Sequence, residues 1–337
     1  MSGGSVPYHL RQHKAVERGV FIDLLLRLGR ATDTNIRSYR YIGFAGPFSE
    51  DFKLVHAHVG ISKFVSLEQD EWGLKRQKWN APLRGIDYRR ATARDYIESF
   101  EPLVPSIIWL DYASPRELAD QMAEVETLIS KCADYDVLKV TFNASHATLG
   151  GPPGVPADQA AVHRVTEAQR RLGDYLPSGF DVTSDDVDRK GYPSLVLKAA
   201  EIAIKNGMRG KAASRFQLLT SFIYSDSAHR MLTLTGIILP KGRVSSFLRE
   251  TGVGRGPFAI TKWGTERTVP IDISIPEMSL RERLFVDQQL PRRGSPRSIM
   301  KKLGFKLADG VDDRTLQALA SYRDFYRYFP YFSKMVV

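Results

Sequence analysis

Apolar positions near the start of the chain repeat with the spacing of an α-helix. Between residues 10 and 30 they form one stripe, while most intervening positions carry charges. The stripe consists of Val16, Val20, Leu24 and Leu28, with Phe21 and Leu25 beside it. This pattern predicts an amphipathic helix within an N-terminal helical segment, residues 1–38, that covers one face of a sheet.

Short apolar runs alternate with helical patterns through the next part of the chain. Because these runs are brief and bounded by turn residues, they indicate strands, at residues 39–44, 63–68, 83–88, 106–111 and 136–143. Helices are predicted between them, at 49–60 with Ser49 as N-cap, at 70–80, and at 114–133 with a capping box of Ser114 and Glu117. Such alternation is typical of a doubly wound, parallel sheet.

A β-hairpin is predicted after this alternation. Residues 214–239 contain two apolar strands on either side of a polar turn near residues 225–228. The predicted fold class is therefore α/β, with a doubly wound, mostly parallel sheet of about seven strands that ends in an antiparallel hairpin.

The chain is predicted to hold one α/β domain with additions. The domain spans residues 39–240, and a helical insert at 145–207 begins with a Gly/Pro-rich loop. Residues 241–337 form a basic C-terminal extension whose end, YRDFYRYFPYF, mixes arginines with aromatic residues. This mixture suits either stacking on nucleic-acid bases or docking of a C-terminal helix onto the core, and docking is favoured.

The positive charge lies in the C-terminal part of the chain. The net charge is +10, and residues 205–337 contain 23 Lys and Arg against 11 Asp and Glu, whereas residues 1–204 contain 25 against 27. A basic region favours an anionic partner such as nucleic acid, an acidic protein or an anionic small molecule. A solvated surface that only maintains solubility is the alternative.

Cysteine content and hydropathy indicate the compartment. The single cysteine, Cys132, excludes an intramolecular disulfide and a multi-cysteine zinc site. No signal-type apolar core and no apolar run of membrane-spanning length occurs in the sequence. We therefore expect a cytoplasmic protein with no membrane partner and no bound metal. The motifs of common hydrolases and NTPases are also missing from the sequence.

Five parallel strands followed by an antiparallel hairpin resemble the strand plan of the class I, Rossmann-like methyltransferases, which use S-adenosylmethionine (SAM). The resemblance covers roughly residues 38–240. The whole chain is also similar to bacterial proteins described as O-methyltransferases of unassigned substrate. The resemblance implies SAM as cofactor and the carboxyl ends of the strands as the site.

The turn after the first strand carries the first local match. GFAGPFS, residues 43–49, resembles the glycine-rich turn of some DNA methyltransferases, whose backbone touches the cofactor. The resemblance implies cofactor contacts at Gly43, Phe44, Ala45, Gly46 and Pro47. The acid that the family often has at the end of this strand is replaced here by Tyr41 and Ile42.

Two further strand ends are implied to bind the adenosyl group. Glu68 ends the second strand, where a carboxylate accepts hydrogen bonds from both ribose hydroxyls, and Gln69 flanks the adenine. After the third strand, Thr92 and Ala93 stand where the family commonly has Asp-Ala, so the threonine hydroxyl is implied to bind the adenine amino group.

The ends of the fourth and fifth strands are implied to hold the methyl acceptor. Asp111 ends the strand that carries the catalytic motif in this family, and it is the candidate catalytic residue, either as a general base or as a ligand of a divalent metal during O-methylation. Tyr112 and Asn143 are candidate acceptor-binding residues, with His146 close to them. The chain lacks the Asp-Pro-Pro-Tyr sequence of the amino-methylating enzymes, and this departure motivates the hypothesis, given below, that catalysis has been lost.

The charge of the first turn favours SAM over a dinucleotide. Pro47, Glu50 and Asp51 occupy the positions where a pyrophosphate site requires free helix N-terminal amides. Acids at this point repel pyrophosphate but tolerate a ligand with a sulfonium and an ammonium group.

Three hypotheses follow from the sequence. The leading hypothesis is a SAM-dependent methyltransferase that acts on the oxygen of an unidentified acceptor. The second is a catalytically degenerate subunit of a larger assembly that binds SAM or a nucleotide. The third is a protein that binds or modifies nucleic acid through its basic C-terminal region.

Three cations share one face of the N-terminal helix: Arg11, Lys14 and Arg18. They either reach an anionic substrate or form the solvated side of the helix, and the solvated side is favoured.

Overall fold

A mixed sheet forms the centre of the molecule. The computed structural model describes residues 11–151, 156–226, 229–254, 258, 269–291, 294–307 and 312–330. In these ranges the sheet has eight strands, with the spatial order β3-β2-β1-β4-β5-β7-β6-β8. Strands β1 to β7 are Arg40–Gly43, Lys63–Glu68, Ile86–Arg90, Ser106–Asp111, Val137–Asn143, Ser214–Asp226 and His229–Pro240, and β8 is Ile271–Asp272.

Helices fill the connections and cover both faces of the sheet. From α1 to α6 they are Gln12–Leu28, Glu50–Val59, Glu71–Trp79, Ala93–Glu98, Leu118–Lys131 and Ala157–Leu172. From α7 to α11 they are Gly191–Gly207, Val244–Thr251, Leu280–Asp287, Pro296–Leu303 and Asp312–Phe325. No helix in the described ranges is long and apolar enough to cross a membrane.

The strand directions confirm the predicted fold class. Strands β1 to β5 pair in parallel, whereas β7 runs antiparallel between β5 and β6. The carboxyl ends of the parallel strands therefore meet at one edge, where the β6–β7 hairpin also turns. The tip of the predicted hairpin turn, residues 227–228, lies outside the described residues.

The sheet extends by one strand more than the pattern of the sequence indicates. β8 has two residues and pairs in parallel with Phe222 and Ile223 of β6. It comes from the predicted C-terminal extension, and α1 of the predicted N-terminal segment packs on the same sheet. The division of the chain at residues 38 and 240, with the helical insert at 145–207, stays a prediction.

Two apolar cores lie on opposite faces of the sheet. The alternation of side chains along each strand sends Tyr41 and Trp109 toward the face covered by α1 and α2, and Ile42 and Leu110 toward the face covered by α5 and α7. The predicted site residues lie at the edge of the sheet formed by the carboxyl ends of β1, β2, β4 and β5. This edge is called the functional edge below.

The C-terminal aromatic segment docks onto the core. Tyr322, Phe325 and Phe329 are buried, and the ring of Phe325 meets that of Phe222 edge-on at a centroid distance of 5.8 Å. Arg283 donates hydrogen bonds to the carbonyl of Phe329 and to that of Pro330. The docking alternative is correct for these three rings, and their burial leaves them unable to stack on bases.

Two predicted helix caps are wrong. Ser49 occupies the residue before α2, but its φ of 50° is left-handed and its side chain makes no cap. Helix α5 begins only at Leu118, so Ser114 and Glu117 form no capping box. The carbonyl of Pro115 instead accepts a hydrogen bond from Arg171, a distant contact that local sequence does not reveal. Asp70 caps α3, and its carboxylate accepts the amide of Gly73 at 2.6 Å.

Candidate functional site

A sharp bend connects β1 to α2 at the functional edge. Gly46 has a φ of 58°, and no atom lies within 4 Å of the position that a side chain would take. The glycine is therefore required by the backbone conformation and leaves open space beside the bend. At Gly43 a side chain would make only ordinary contacts with Trp109, the nearest at 3.6 Å.

A chain of hydrogen bonds joins this bend to the end of β2. The amide of Ala45 donates to the Ser66 hydroxyl at 3.4 Å, and that hydroxyl donates to Oε1 of Gln77 at 2.8 Å. Nε2 of Gln77 then donates to Oε2 of Glu68 at 3.0 Å. Ser66 and Glu68 are two residues apart on a strand, so they share one face of the sheet. Glu68 therefore lies on the same side as the bend.

The Glu68 carboxylate is held in place from several sides. Its Oε1 accepts the amide of Asp70 at 3.0 Å, in addition to the bond from Gln77 to Oε2. A side chain added at Gly73 would approach the carboxylate carbon to 3.0 Å. The residue is half-buried. Because a carboxylate offers about four acceptor positions, two remain for a ligand. Its predicted binding of ribose stays a prediction.

Helix α3 also touches the bend itself. Nδ2 of Asn80, which follows the helix, donates to the carbonyl of Pro47 at 3.1 Å. One helix thus contacts both predicted cofactor-binding segments, the bend and Glu68. Phe44 of the bend is half-buried and packs against the core on the opposite face.

The predicted adenine-binding residues follow β2 and β3. Thr92 caps α4: its hydroxyl accepts the amide of Asp95 at 3.1 Å and donates to the Asp95 carboxylate at 2.8 Å. The cap uses the only proton of the hydroxyl, so a bond to adenine would have to use its remaining lone pair. Ala93 is the first residue of α4, and the side chain of Gln69 is exposed. Their adenine contacts stay predictions.

Asp111 is the last residue of β4, and Tyr112 follows it with its side chain on the opposite face of the sheet. The half-buried Asp111 carboxylate makes no hydrogen bond or ion pair with any residue in the described ranges. The Tyr112 hydroxyl donates to Glu124 of α5 at 2.7 Å, and its ring stacks on Phe142 at 5.8 Å. Burial, with the negative charge of Glu124, raises the pKa of Tyr112 well above its ordinary value, so the hydroxyl stays protonated.

Asn143 ties together the loops after β4 and β5. Its Nδ2 donates to the carbonyl of Ala113 at 3.2 Å, and its Oδ1 accepts the amide of Ser145 at 3.2 Å. The side chain is buried. These bonds show a structural role in placing the two loops, while the predicted acceptor contacts of Tyr112 and Asn143 stay predictions.

A buried charge network lies beneath Asp111. Glu17 and Arg18 of α1 form an ion pair with each other, Glu17 pairs with Lys139 of β5, and Arg18 donates to Asp51 of α2 at 2.9 Å. Lys139 is only 1% exposed. The Arg18 guanidinium stacks over the ring of Trp109 at 4.0 Å, and Lys139 lies 4.6 Å from the same ring. This network fixes α1 against the functional edge.

The network shifts the titration of its carboxyl groups in opposite directions. Burial alone disfavours the charge on Glu17, but Lys139 and Arg18 outweigh it, so the pKa of Glu17 lies below its ordinary value. Burial raises the pKa of Asp51, and the nearby negative charges of Asp111 and Glu17 add to this rise against the opposing charges of Arg18 and Lys14. Asp51 and Asp111 are therefore electrostatic neighbours at the site.

Sequence reasoning missed these buried charges. The solvated alternative for Lys14 and Arg18 is wrong, because both are buried, at 6% and 3% exposure. One signal was available: Lys139 interrupts an apolar strand, VLKVTFN, whose other positions are mostly apolar. A cation in such a strand requires a buried counter-charge.

Comparison with protein families decides the classification. A family model with the description "Putative O-methyltransferase" matches residues 6–337 of the chain. The chain belongs to this family. Membership confirms the predicted class, a methyltransferase. None of the curated proteins matches the chain.

Solved structures resemble this member of the O-methyltransferase family only weakly, in both sequence identity and TM-score. LepI in complex with SAM is 11% identical, with a TM-score of 0.34, over 64% of this chain and 46% of that chain. The N-methyltransferase NodS from Bradyrhizobium japonicum WM9 is 11% identical, with a TM-score of 0.36, over 67% and 97% of the two chains. The plantazolicin methyltransferase BamL is 10% identical, with a TM-score of 0.35, over 68% and 88%. The aligned region spans less than half of LepI, and TM-scores this low support no inference about function.

No metal site competes with this assignment within the described ranges. Those residues contain no group of three or more His, Cys, Asp or Glu side chains that could hold a metal ion.

Replacement of Gly73 by alanine is expected to weaken SAM binding by this O-methyltransferase about fivefold, a loss of about 1 kcal/mol. The added methyl group would lie 3.1 Å from Oε2 of Glu68 and push the carboxylate aside. Alanine is a better helix former than glycine, so the melting temperature should stay equal or rise. Calorimetric titration and thermal unfolding measure the two effects. Weaker binding together with a lower melting temperature would point to general disruption of α3 and contradict this explanation.

Proposed function

We propose that the chain transfers the methyl group of SAM to the oxygen of an acceptor at the carboxyl ends of β1, β2, β4 and β5. The observation that carries the proposal is the hydrogen-bonded path from Ala45 through Ser66 and Gln77 to Glu68. It joins a glycine bend with open space to a carboxylate on the same face of the sheet. A bend and an acid in this relation suit a nucleoside whose ribose hydroxyls face the acid.

The charges around the bend support a cationic ligand. Asp51 stands in the first turn of α2, where a phosphate-binding helix would leave its amides free, and Asp111 stands one strand away without an ion-pair partner in the described ranges. When bound, SAM supplies an activated methyl group on a positively charged sulfur. Asp111 favours such a charge at the edge of the sheet, because opposite charges attract strongly where water is partly excluded.

The contribution of the protein is chiefly one of positioning. Glu68 and the bend would hold the adenosyl group, and the loops joined by Asn143 would hold the acceptor oxygen in line with the methyl carbon. Alignment of two reactants in this way can contribute about 7–11 kcal/mol. Asp111 is the predicted catalytic residue and would accept the acceptor proton as the oxygen–methyl bond forms.

Two measurements test the proposed function. Calorimetric titration of the purified protein with SAM should give saturable binding to one site. Incubation with SAM labelled in its methyl group and a cell extract should give a labelled product, and boiled protein should give none. Failure of SAM to bind would refute the proposal. Binding without any labelled product would instead support the second hypothesis, a degenerate SAM-binding subunit.

A second candidate function concerns the basic C-terminal region. Helix α10 exposes Arg297, Lys301 and Lys302, and exposed Phe305 and Lys306 follow it. Exposed cations beside an aromatic ring support a nucleic-acid or acidic-protein partner. Mobility-shift assays at low and moderate salt test this partner, because nucleic-acid binding through phosphates weakens steeply with salt.

A cytoplasmic location remains part of the proposal and is supported by the single, buried Cys132.

A further inference from the structure

His146 begins the short 3₁₀ turn that follows β5. It stands three residues beyond Asn143, at the edge of the sheet that holds Asp111. The imidazole is half-buried, and its Nδ1 is fully buried without a hydrogen-bond partner in the described part of the chain. A buried ring nitrogen without a partner is costly unless a ligand or water completes it.

The charges that act on this imidazole are mostly positive and come from three parts of the chain. Arg164 of α6, Arg189 before α7 and Arg230 at the start of β7 all act electrostatically on His146, and Asp188 is the opposing anion. Three positive charges stand against Asp188 and against Asp272, which pairs with Arg230, so this part of the edge carries a net positive charge.

Arg230 has an unused donor at the same place. The amide of Ala144, just past β5, donates to the carbonyl of Arg230 at 2.9 Å, which places this arginine beside the start of the His146 turn. One terminal nitrogen of the guanidinium donates to Asp272 at 2.8 Å. Its Nε is buried and donates to none of the residues described. A second buried polar atom without a partner thus belongs to a residue at the start of β7, whose guanidinium reaches Asp272 of β8.

The turn is rigidly tied to the loop that follows Asp111. Arg171, which is 5% exposed, donates to the Thr148 carbonyl at 2.6 Å and to the Pro115 carbonyl at 3.0 Å. It therefore links the His146 turn to the β4 loop, as Asn143 does from the other side. Arg164 donates to the Gly150 carbonyl at 3.2 Å and fixes the far end of the turn.

We propose that His146 and Arg230, with Arg164 and Arg189, form the acceptor site for a hydroxyl compound that carries a phosphate or carboxylate group. This inference rests on the proposed methyl transfer. The arginines hold the anionic group, and neutral His146, rather than Asp111, takes the hydroxyl proton. As the acceptor oxygen forms its bond to the methyl carbon, the bond from that carbon to sulfur breaks, and its electron pair stays on sulfur as a neutral thioether.

The protonation state of His146 agrees with this role. Burial lowers the pKa of His146 below its ordinary 6.5, and the charges of Arg164, Arg189 and Arg230 lower it further, against the opposing charge of Asp188. The imidazole is therefore neutral at pH 7 and able to accept a proton. The same arginines stabilise the negative charge that develops on the acceptor oxygen.

Nuclear magnetic resonance of the histidine side chains tests the site with inorganic phosphate and acetate as probes. The His146 signal is assigned by its loss in His146→Gln. We expect this signal to titrate below pH 6.5, and phosphate, acetate or both to shift it. A response to phosphate alone identifies a phosphorylated acceptor, and a response to acetate alone identifies a carboxylate.

Arg230→Gln separates recognition from a merely structural role. It should raise the pKa of His146, since a lowering cation is lost, and weaken the response to the probe about tenfold. Arg209→Gln, which removes an exposed arginine on another part of the chain, should change neither the pKa of His146 nor its response to the probe.

His146→Gln should keep SAM binding and lower labelled methyl transfer to the anionic fraction of an extract at least tenfold.

The outcomes distinguish this inference from the proposed function. If SAM binds but neither probe shifts His146, the acceptor site is refuted while the proposed function stands. If SAM does not bind to the wild-type protein, the proposed function fails, whatever the probes do. Unchanged labelled transfer in His146→Gln would refute the role of His146 as the base.

Discussion

Replacement of Lys139 by methionine is expected to lower the free energy of unfolding by about 3–5 kcal/mol. Lys139 is buried in the middle of β5 and pairs with Glu17, which also pairs with Arg18. Methionine has a similar length but no charge, so Glu17 keeps a buried negative charge with one partner fewer. Loss of one partner from a buried pair costs more than the pair itself contributes, because the remaining charge stays desolvated. Urea denaturation measures the change.

Two further variants give this experiment its controls. Lys53→Met removes an exposed lysine from α2 and should change stability by no more than about 0.5 kcal/mol. The double variant Glu17→Gln/Lys139→Met removes both charges and should recover part of the loss. A Lys139→Met protein as stable as the wild type would show that the buried network does not hold α1 against the sheet.

Replacement of Glu68 by alanine is expected to weaken SAM binding by about 2–3 kcal/mol, or about 30- to 150-fold. The carboxylate has two acceptor positions left after its bonds to Asp70 and Gln77. Hydrogen bonds from ribose hydroxyls to a charged acceptor are among the stronger ones. Calorimetric titration measures the affinity, and thermal unfolding reports any structural damage.

Glu71→Ala is the matched control for Glu68→Ala. Glu71 lies three residues further along, is 53% exposed and pairs with Lys75 on the surface of α3. Its removal should leave the affinity for SAM unchanged within about twofold. Equal affinities of wild-type and Glu68→Ala protein would show that the ribose lies elsewhere, even if SAM binds.

The sheet could be predicted because its signals are local. Five apolar runs separated by helical patterns fix the parallel part, and the polar turn within 214–239 fixes the antiparallel hairpin. The short β8 could not be found in this way, because two residues carry no pattern and its pairing with β6 depends on the tertiary structure. The helix cap predicted at Ser114 is wrong for a similar reason, because the neighbouring carbonyl of Pro115 accepts a hydrogen bond from the distant Arg171.

The sequence predicts which residues lie at the site only where their position at the end of a strand determines it. Gly43, Glu68, Asp111 and Asn143 lie at one edge because parallel strands end there. The partners of these residues come from far away along the chain: Lys139 and Glu17 are 122 residues apart. On α1 the sequence shows charges next to apolar residues, and this pattern does not tell which face meets the sheet. Burial of Lys14 and Arg18 follows from packing against α2 and β6.

The most direct test of the central claim is a crystal structure of the protein with bound SAM. We predict the ribose hydroxyls within hydrogen-bond distance of Glu68, with the rest of the ligand along residues 43–47 and its methyl group near the end of β4. Density for the ligand at any other part of the molecule, or a Glu68 carboxylate that does not touch it, would contradict this assignment of the cofactor site.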